Sequence, residues 1–213
     1  MIFAVDVTHE FGSLALVRSG DTIEEVLLHS PDGFGHVLFG QIEQLLARHA
    51  CALDEIVCFA SASGPGSFTG VRVGLACVKG LAEAVGRPVV AVSNLQALAA
   101  FGTAPVRAPF LDARRGEIYG GLYDAELSVL VPEVVAPLPA WIATVPAGAE
   151  FITTDVEPFR AHLPAVTQAP RALAAAVGRI AERRLAAGEA QDPAAIDANY
   201  VRRSDAELKW KDR

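Results

Sequence analysis

The chain has 213 residues, enough for one good core or for two small lobes that share an interface. Its formal net charge of −7 and isoelectric point near 5.2 oppose direct, phosphate-driven binding of nucleic acid, which needs clustered Lys and Arg to displace counterions. Cys51, Cys58 and Cys77 form no CxxC pair, which leaves out a disulfide framework and a zinc site and fits a reducing cytosol.

In chain order, the start MIFAVD sets Asp6 where an export signal needs its apolar stretch, so an unexported chain is expected. Strands are predicted over Ile2 to Asp6, Ser13 to Arg18 and Ile23 to His29, with turns through Thr8 and Gly12 and through Ser19-Gly20-Asp21. After the breaker PDGFG, Leu38, Ile42, Leu45 and Leu46 fall at helical spacing and predict an amphipathic helix over His36 to Ala50. A buried strand over Asp54 to Ala60, a helix over Phe68 to Val85 and a buried strand over Pro88 to Val92 follow. Three antiparallel strands followed by alternating helices and parallel strands is the order of a ribonuclease-H-like unit. The uncharged stretch between Arg87 and Arg107 is interrupted by Pro88, Ser93, Asn94, Gln96, Gly102, Thr103 and Pro105, which suits a strand, loop and short helix rather than a membrane span.

A second set of elements is expected from Val106. It has strands over Val106 to Leu111, Glu117 to Tyr123 and Leu127 to Val134, a surface connection at PLPAWIATVPAGA, a strand over Phe151 to Thr154 and an Ala-rich helix over Arg171 to Ala187. The domain organisation predicted is a first lobe over residues 1–102, a second, reduced lobe over 103–190 and a tail over 191–213 containing Tyr200 and Trp210.

Apolar residues make up 52% of the chain and mean hydropathy is +0.32. Two explanations stay open: a partner covers apolar surface, or alanine raises hydropathy without adding sticky area.

Asp6-Val7-Thr8 ends the first strand, where two-lobed ATPases place an Asp and a hydroxyl beside nucleotide phosphates. Val7 and His9 stand where a working hairpin carries glycine and a further hydroxyl or basic residue, so Asp6 and Thr8 are vestigial cofactor-binding candidates beside a purely structural role. Ser63-Gly64-Pro65-Gly66-Ser67-Phe68-Thr69-Gly70 lacks the Lys-Ser or Lys-Thr of a phosphate-binding P-loop and the spacing of a dinucleotide fingerprint. It is predicted to be a tight turn in which Ser67 or Thr69 caps the following helix.

Glycine inside a helix costs about 1 kcal/mol relative to Ala, so Gly70 and Gly74 need an offset. Either another helix approaches there or they pack on the protein's own sheet. With Val71, Val73, Leu75, Cys77, Val78, Leu81 and Val85 making the helix apolar on more than one side, a partner surface is expected at His36, Phe39, Gly70, Val73, Gly74, Cys77 and Leu81. Asp112-Ala113-Arg114-Arg115-Gly116-Glu117 reads as a charged hairpin turn. The five histidines have no HxxxH or HExxH spacing and no nucleophile elbow occurs, so neither a catalytic residue nor a metal ligand is expected.

Ile2-Phe3-Ala4-Val5-Asp6-Val7-Thr8, the run Gly64 to Gly74, Lys79-Gly80-Leu81-Ala82 and the run Leu111 to Tyr119 together resemble the bacterial TsaB family, also called YeaZ. Gly35-His36, Val92-Ser93-Asn94-Leu95 and Asn199-Tyr200-Val201-Arg202 add weaker agreement. The likeness spans the chain and is densest over its first three-fifths. It implies an actin-like ATPase fold (sugar kinase/HSP70/actin) of two ribonuclease-H-like lobes. It also implies a cytoplasmic, non-catalytic scaffold in making threonylcarbamoyladenosine at position 37 of tRNA. The implied partners are TsaD as heterodimer and TsaE. A homodimer is a third alternative, since the helix that would meet TsaD could meet its own copy in a symmetric pair; the negative charge leaves tRNA to be reached only through the complex, no intrinsic cofactor is expected, and the complex is the one place left open for ATP or ADP. The competing function is a stand-alone ATPase or phosphotransferase using Asp6 and the glycine turn.

Overall fold

The computed structural model describes residues 1–163 and 165–202. Its elements are β1 (Ile2–Asp6), β2 (Phe11–Arg18), β3 (Asp21–His29), α1 (Leu38–Arg48), β4 (Cys58–Ala62), α2 (Phe68–Val85), β5 (Val89–Val92), α3 (Asn94–Ala99), β6 (Val106–Arg114), β7 (Glu117–Asp124), β8 (Val129–Pro137), α4 (Leu138–Ile142), β9 (Glu150–Thr153), β10 (Thr167–Gln168) and α5 (Ala174–Ala186), with short 3-10 turns between some of them. By their contacts the described residues form two compact units, Met1–Ala97 with Pro170–Ala198, and Leu98–Ala169 with residues 199–202.

The first unit is built on a five-stranded sheet of order β3-β2-β1-β4-β5. β2 pairs antiparallel with β1 and β3, whereas β4 runs parallel to β1 and to β5. β1 is central, and all five of its residues are buried. Its alternation sends Phe3, Val5 and Val7 to one face, where Leu14, Leu16 and Phe59 join Leu38, Ile42 and Leu45 of α1 and Val71, Leu75 and Val78 of α2 in one core.

The other face, where Ala4, Ala15 and Ala60 lie among Ile2, Val17 and Val90, is covered by α5. A Cβ on Gly178 would lie 2.7 Å from Val17 and 3.3 Å from Ala4, so the close approach of this Ala-rich helix depends on side chains that are nearly absent. Its first amides are satisfied from the sheet. Ser13 Oγ accepts from the N–H groups of Leu173 (3.0 Å) and Ala174 (2.9 Å), and Glu25 Oε1 accepts from Ala175 (2.8 Å). Burial nonetheless pushes the Glu25 carboxyl above its ordinary range, against the lowering effect of that amide and of Arg179. This docking explains why the units differ from a simple division after residues 102 and 190: the helix lies far along the chain but belongs to the first sheet.

The second unit has a sheet of order β10-β9-β6-β7-β8. Its core gathers Phe110, Ile118, Leu122, Leu138, Trp141, Phe159 and Leu163, and the ring of Phe110 sits 5.0 Å from Phe159 and 5.8 Å from Trp141. The stretch PLPAWIATVPAGA, expected as a surface connection, therefore carries α4 and buries Leu138 and Trp141. Proline within the first helical turn is tolerated because the amide it lacks has no intrahelical acceptor.

Other boundaries move slightly. Leu53–Glu55 form a 3-10 turn, so the strand expected from Asp54 begins at Cys58; α1 starts at Leu38, after His36 and Val37. Of the tail, Ile196 is buried in the first core, while Trp210 lies outside the described residues. Among the described residues no helix is long and apolar enough to cross a membrane.

Candidate functional site

The end of β1 carries a buried polar network. Asp6 is 2% exposed, and Thr8 and Asn94 are fully buried. Asp6 Oδ1 accepts from the Thr8 amide (3.0 Å) and from the Thr8 hydroxyl (2.6 Å), while Oδ2 accepts from Asn94 Nδ2 (3.3 Å). Asn94 Nδ2 also donates to Thr8 Oγ1 (2.7 Å), its Oδ1 accepts from the Gly64 amide (2.9 Å), and its own amide donates to Gly64 O (2.8 Å). Since the Thr8 hydroxyl proton is directed at Asp6, the contact of Thr8 Oγ1 with His9 Nδ1 (2.9 Å) assigns the proton to that imidazole nitrogen. Asp6 and Thr8, the cofactor-binding candidates, are thus brought together, and both carboxylate oxygens are engaged by protein donors. Asn94, which the sequence offered as a polar interruption of an uncharged stretch and within the family-like run Val92 to Leu95, completes the network.

The glycine turn closes on the same place. Ser67 N donates to Thr8 O (2.6 Å), and of the two expected caps, Ser67 or Thr69, it is Ser67 that caps α2, by accepting from Gly70 N (3.3 Å). A Cβ on Gly66 would sit 2.7 Å from Thr8 O, one on Gly70 2.1 Å from Val7 O, and one on Gly74 2.9 Å from Ser61 Oγ. The expectation that Gly70 and Gly74 admit a partner helix is corrected: they face β1 and β4 of their own unit. Cys77 is likewise buried in the first core and is not on a surface. Burial pushes both Cys58 and Cys77 up to about 12, which leaves them protonated and unreactive at neutral pH.

The remaining partner-surface candidates divide. Val73 and Leu81 are half-buried against the core, His36 is exposed, and Phe39 is 61% exposed on the outer side of α1. On α2 the exposed residues include Phe68 (42%), Thr69, Arg72 and Ala76, and the Arg72 guanidinium lies 3.7 Å from the centre of the Phe68 ring. Phe68 and Arg72 were not singled out from sequence; their one-turn spacing opposite the glycines was the available signal.

In the second unit the charged segment forms the β6–β7 hairpin. Arg115 and Gly116, with φ of 59° and 76°, make the two-residue turn, and Arg114 (φ 65°) is held by Asp112 Oδ1, which accepts its amide at 2.7 Å. Arg202 closes the base of the hairpin by donating to Ala113 O (2.8 Å) and pairing with Glu117. Among the described residues no group of three or more His, Cys, Asp or Glu is placed to hold a metal ion.

Residues 36–142 match the family model TsaD: tRNA N6-adenosine threonylcarbamoyltransferase. The "tRNA threonylcarbamoyladenosine biosynthesis protein TsaB" of Bacillus subtilis is 33% identical over 146 residues, covering 66% of this chain and 64% of that protein. Its namesake in Escherichia coli is 32% identical over 149 residues, covering 63% and 64%. The matches thus span somewhat under two thirds of these curated relatives. The solved structure of YeaZ from Pseudomonas aeruginosa superimposes with a TM-score of 0.78 at 26% identity, over 93% of this chain and 98% of that one. With its two five-stranded sheets and these likenesses, the chain has the actin-like fold of the TsaD type and belongs to the TsaB (YeaZ) family.

Proposed function

We propose that the chain is a non-catalytic subunit in the formation of N6-threonylcarbamoyladenosine at position 37 of tRNA. It pairs with TsaD as a heterodimer through the outward sides of α1 and α2, and TsaE joins the pair. Each unit is a ribonuclease-H-like lobe, the second reduced, and the protein acts in the cytoplasm.

The observation that carries this reading is the use of the Asp6–Thr8 hairpin. A nucleotide site presents backbone amides and a carboxylate to phosphate and its cation. Here the oxygens of Asp6 accept from Thr8 and Asn94, and the Gly66–Gly70 backbone rests on Thr8 O and Val7 O. A phosphate at this hairpin would have to displace three internal hydrogen bonds. Catalysis therefore falls to TsaD, and any ATP or ADP is held only within the complex. The net charge of −7 supports contact with tRNA through the complex alone.

The relatives named for this biosynthesis support the pathway. The exposed Phe39 and Phe68 support a surface covered by a partner. The test is to mix the purified chain with TsaD and measure mass in solution beside an ATP-turnover assay of the chain alone. One-to-one association with no turnover is expected; turnover abolished by Asp6→Ala would favour the stand-alone ATPase or phosphotransferase instead.

A further inference from the structure

We propose that Asn94 is a positioning residue that clamps the end of β1 to the glycine turn, so that α2 is held in one orientation and shows one fixed outward face to the partner subunit. This rests on the subunit role proposed above for the outer side of α2.

Three chain segments meet at this one side chain. Its amide nitrogen donates to Thr8 Oγ1 (2.7 Å) and Asp6 Oδ2 (3.3 Å) at the end of β1, its carbonyl accepts from Gly64 N (2.9 Å), and its backbone amide returns a bond to Gly64 O (2.8 Å). Gly64 opens the turn whose Ser67 amide then donates to Thr8 O (2.6 Å), and Ser67 caps α2. The first turn of α2 therefore takes its position from the end of β1 through hydrogen bonds, and it lies so close that a Cβ added to Gly70 would sit 2.1 Å from Val7 O. Only an uncharged side chain with both a donor and an acceptor can face a carboxylate and a hydroxyl on one side and a backbone amide on the other. Serine lacks the reach and aspartate lacks the donor.

Two variants test the clamp. In Asn94→Ala, amide hydrogen exchange at Gly64, Ser67 and Gly70 should rise at least about tenfold while exchange in β2 is unchanged, because the opening is local. Association with TsaD should weaken by a similar factor. Asn94→Asp keeps the acceptor for Gly64 but sets a second carboxylate against Asp6. The two then share a proton in the folded state, at a pKa above the unfolded value. That proton stabilises the fold at low pH, and the stabilisation is lost as pH rises through the raised value. The melting temperature of Asn94→Asp should therefore climb on acidification relative to the parent chain.

Unchanged exchange at the glycine turn in Asn94→Ala, no acid rescue of Asn94→Asp, or loosened exchange with undiminished association would each overturn the proposal. So would both variants being unfolded at every pH, which would make Asn94 an ordinary core residue. If the unaltered chain fails to associate with TsaD, the subunit role fails, and the exchange and pH results still decide whether the clamp exists.

Discussion

The two sides of α2 are made of different chemistry. The inner side, Gly66 in the preceding turn and Gly70 and Gly74 in the helix, meets backbone and hydroxyl oxygens of its own unit at distances that leave no room for a Cβ. The outer side, Phe68, Thr69, Arg72 and Ala76, meets solvent, and exposed Phe39 adds an aromatic ring from α1. A glycine pattern that looks like a socket for another helix is here the means by which a helix settles on the end of its own central strand. Substitutions on the two sides should accordingly separate folding from association.

The largest effect is expected on the inner side. Gly70→Val would drive a branched side chain into Val7 O, a backbone atom that cannot rotate away, and should cost about 3 kcal/mol or more. Gly74→Arg should be comparably severe, since it buries an unpaired charge. Thermal melts of the isolated variants check both. A Gly74→Arg protein that melts like the parent would break the comparison, because the residue would then have to face outward.

A smaller effect is expected where the first sheet meets α5. Burial raises the Glu25 carboxyl in the folded state, so its stabilising contribution is full below the unfolded pKa and is lost as pH rises through the folded value. Glu25→Gln keeps an acceptor for the Ala175 amide and removes the half-buried charge. It should raise the melting temperature at pH 7 by about a degree, solvent screening of this half-buried group keeping the effect small, and leave it little changed near pH 4. The smallest effect concerns the thiols. Cys58 and Cys77 should resist a thiol reagent at pH 8 in the folded chain and react once Gly70→Val loosens it.

The first unit was largely legible in the sequence because local signals agreed with one another. The short apolar run Ile2–Val5 ending at Asp6, the helical spacing in Leu38–Arg48 and the capping hydroxyls before α2 each point to the element observed. Tertiary destination was not legible. The Ala-rich α5 carries no mark that it returns to β1, because a small-residue face fits any flat surface, and the sheet's matching small side chains lie far away in the chain. Trp141 was hidden by neighbouring Pro and Ala, which mimic a surface loop. At the candidate site, Asp6, Thr8 and the glycine turn were visible as motifs, but their meaning depended on Asn94, a long-range partner that no spacing rule links to them. Gly70 and Gly74 gave the right question and two answers, and only the distances to Val7 and Ser61 separate these.

The central claim, that the outer side of α1 and α2 serves a partner while the inner side serves the fold, is tested most directly by Phe39→Glu. Phe39 is 61% exposed, so the substitution should leave the melting temperature within a degree or two of the parent. In solution with TsaD, light scattering should show the parent chain as a one-to-one complex and the variant as separate subunits, with affinity lowered on the order of a hundredfold by a charge set into an apolar contact. A Phe39→Glu chain that keeps both its melting temperature and its full affinity for TsaD would contradict the account.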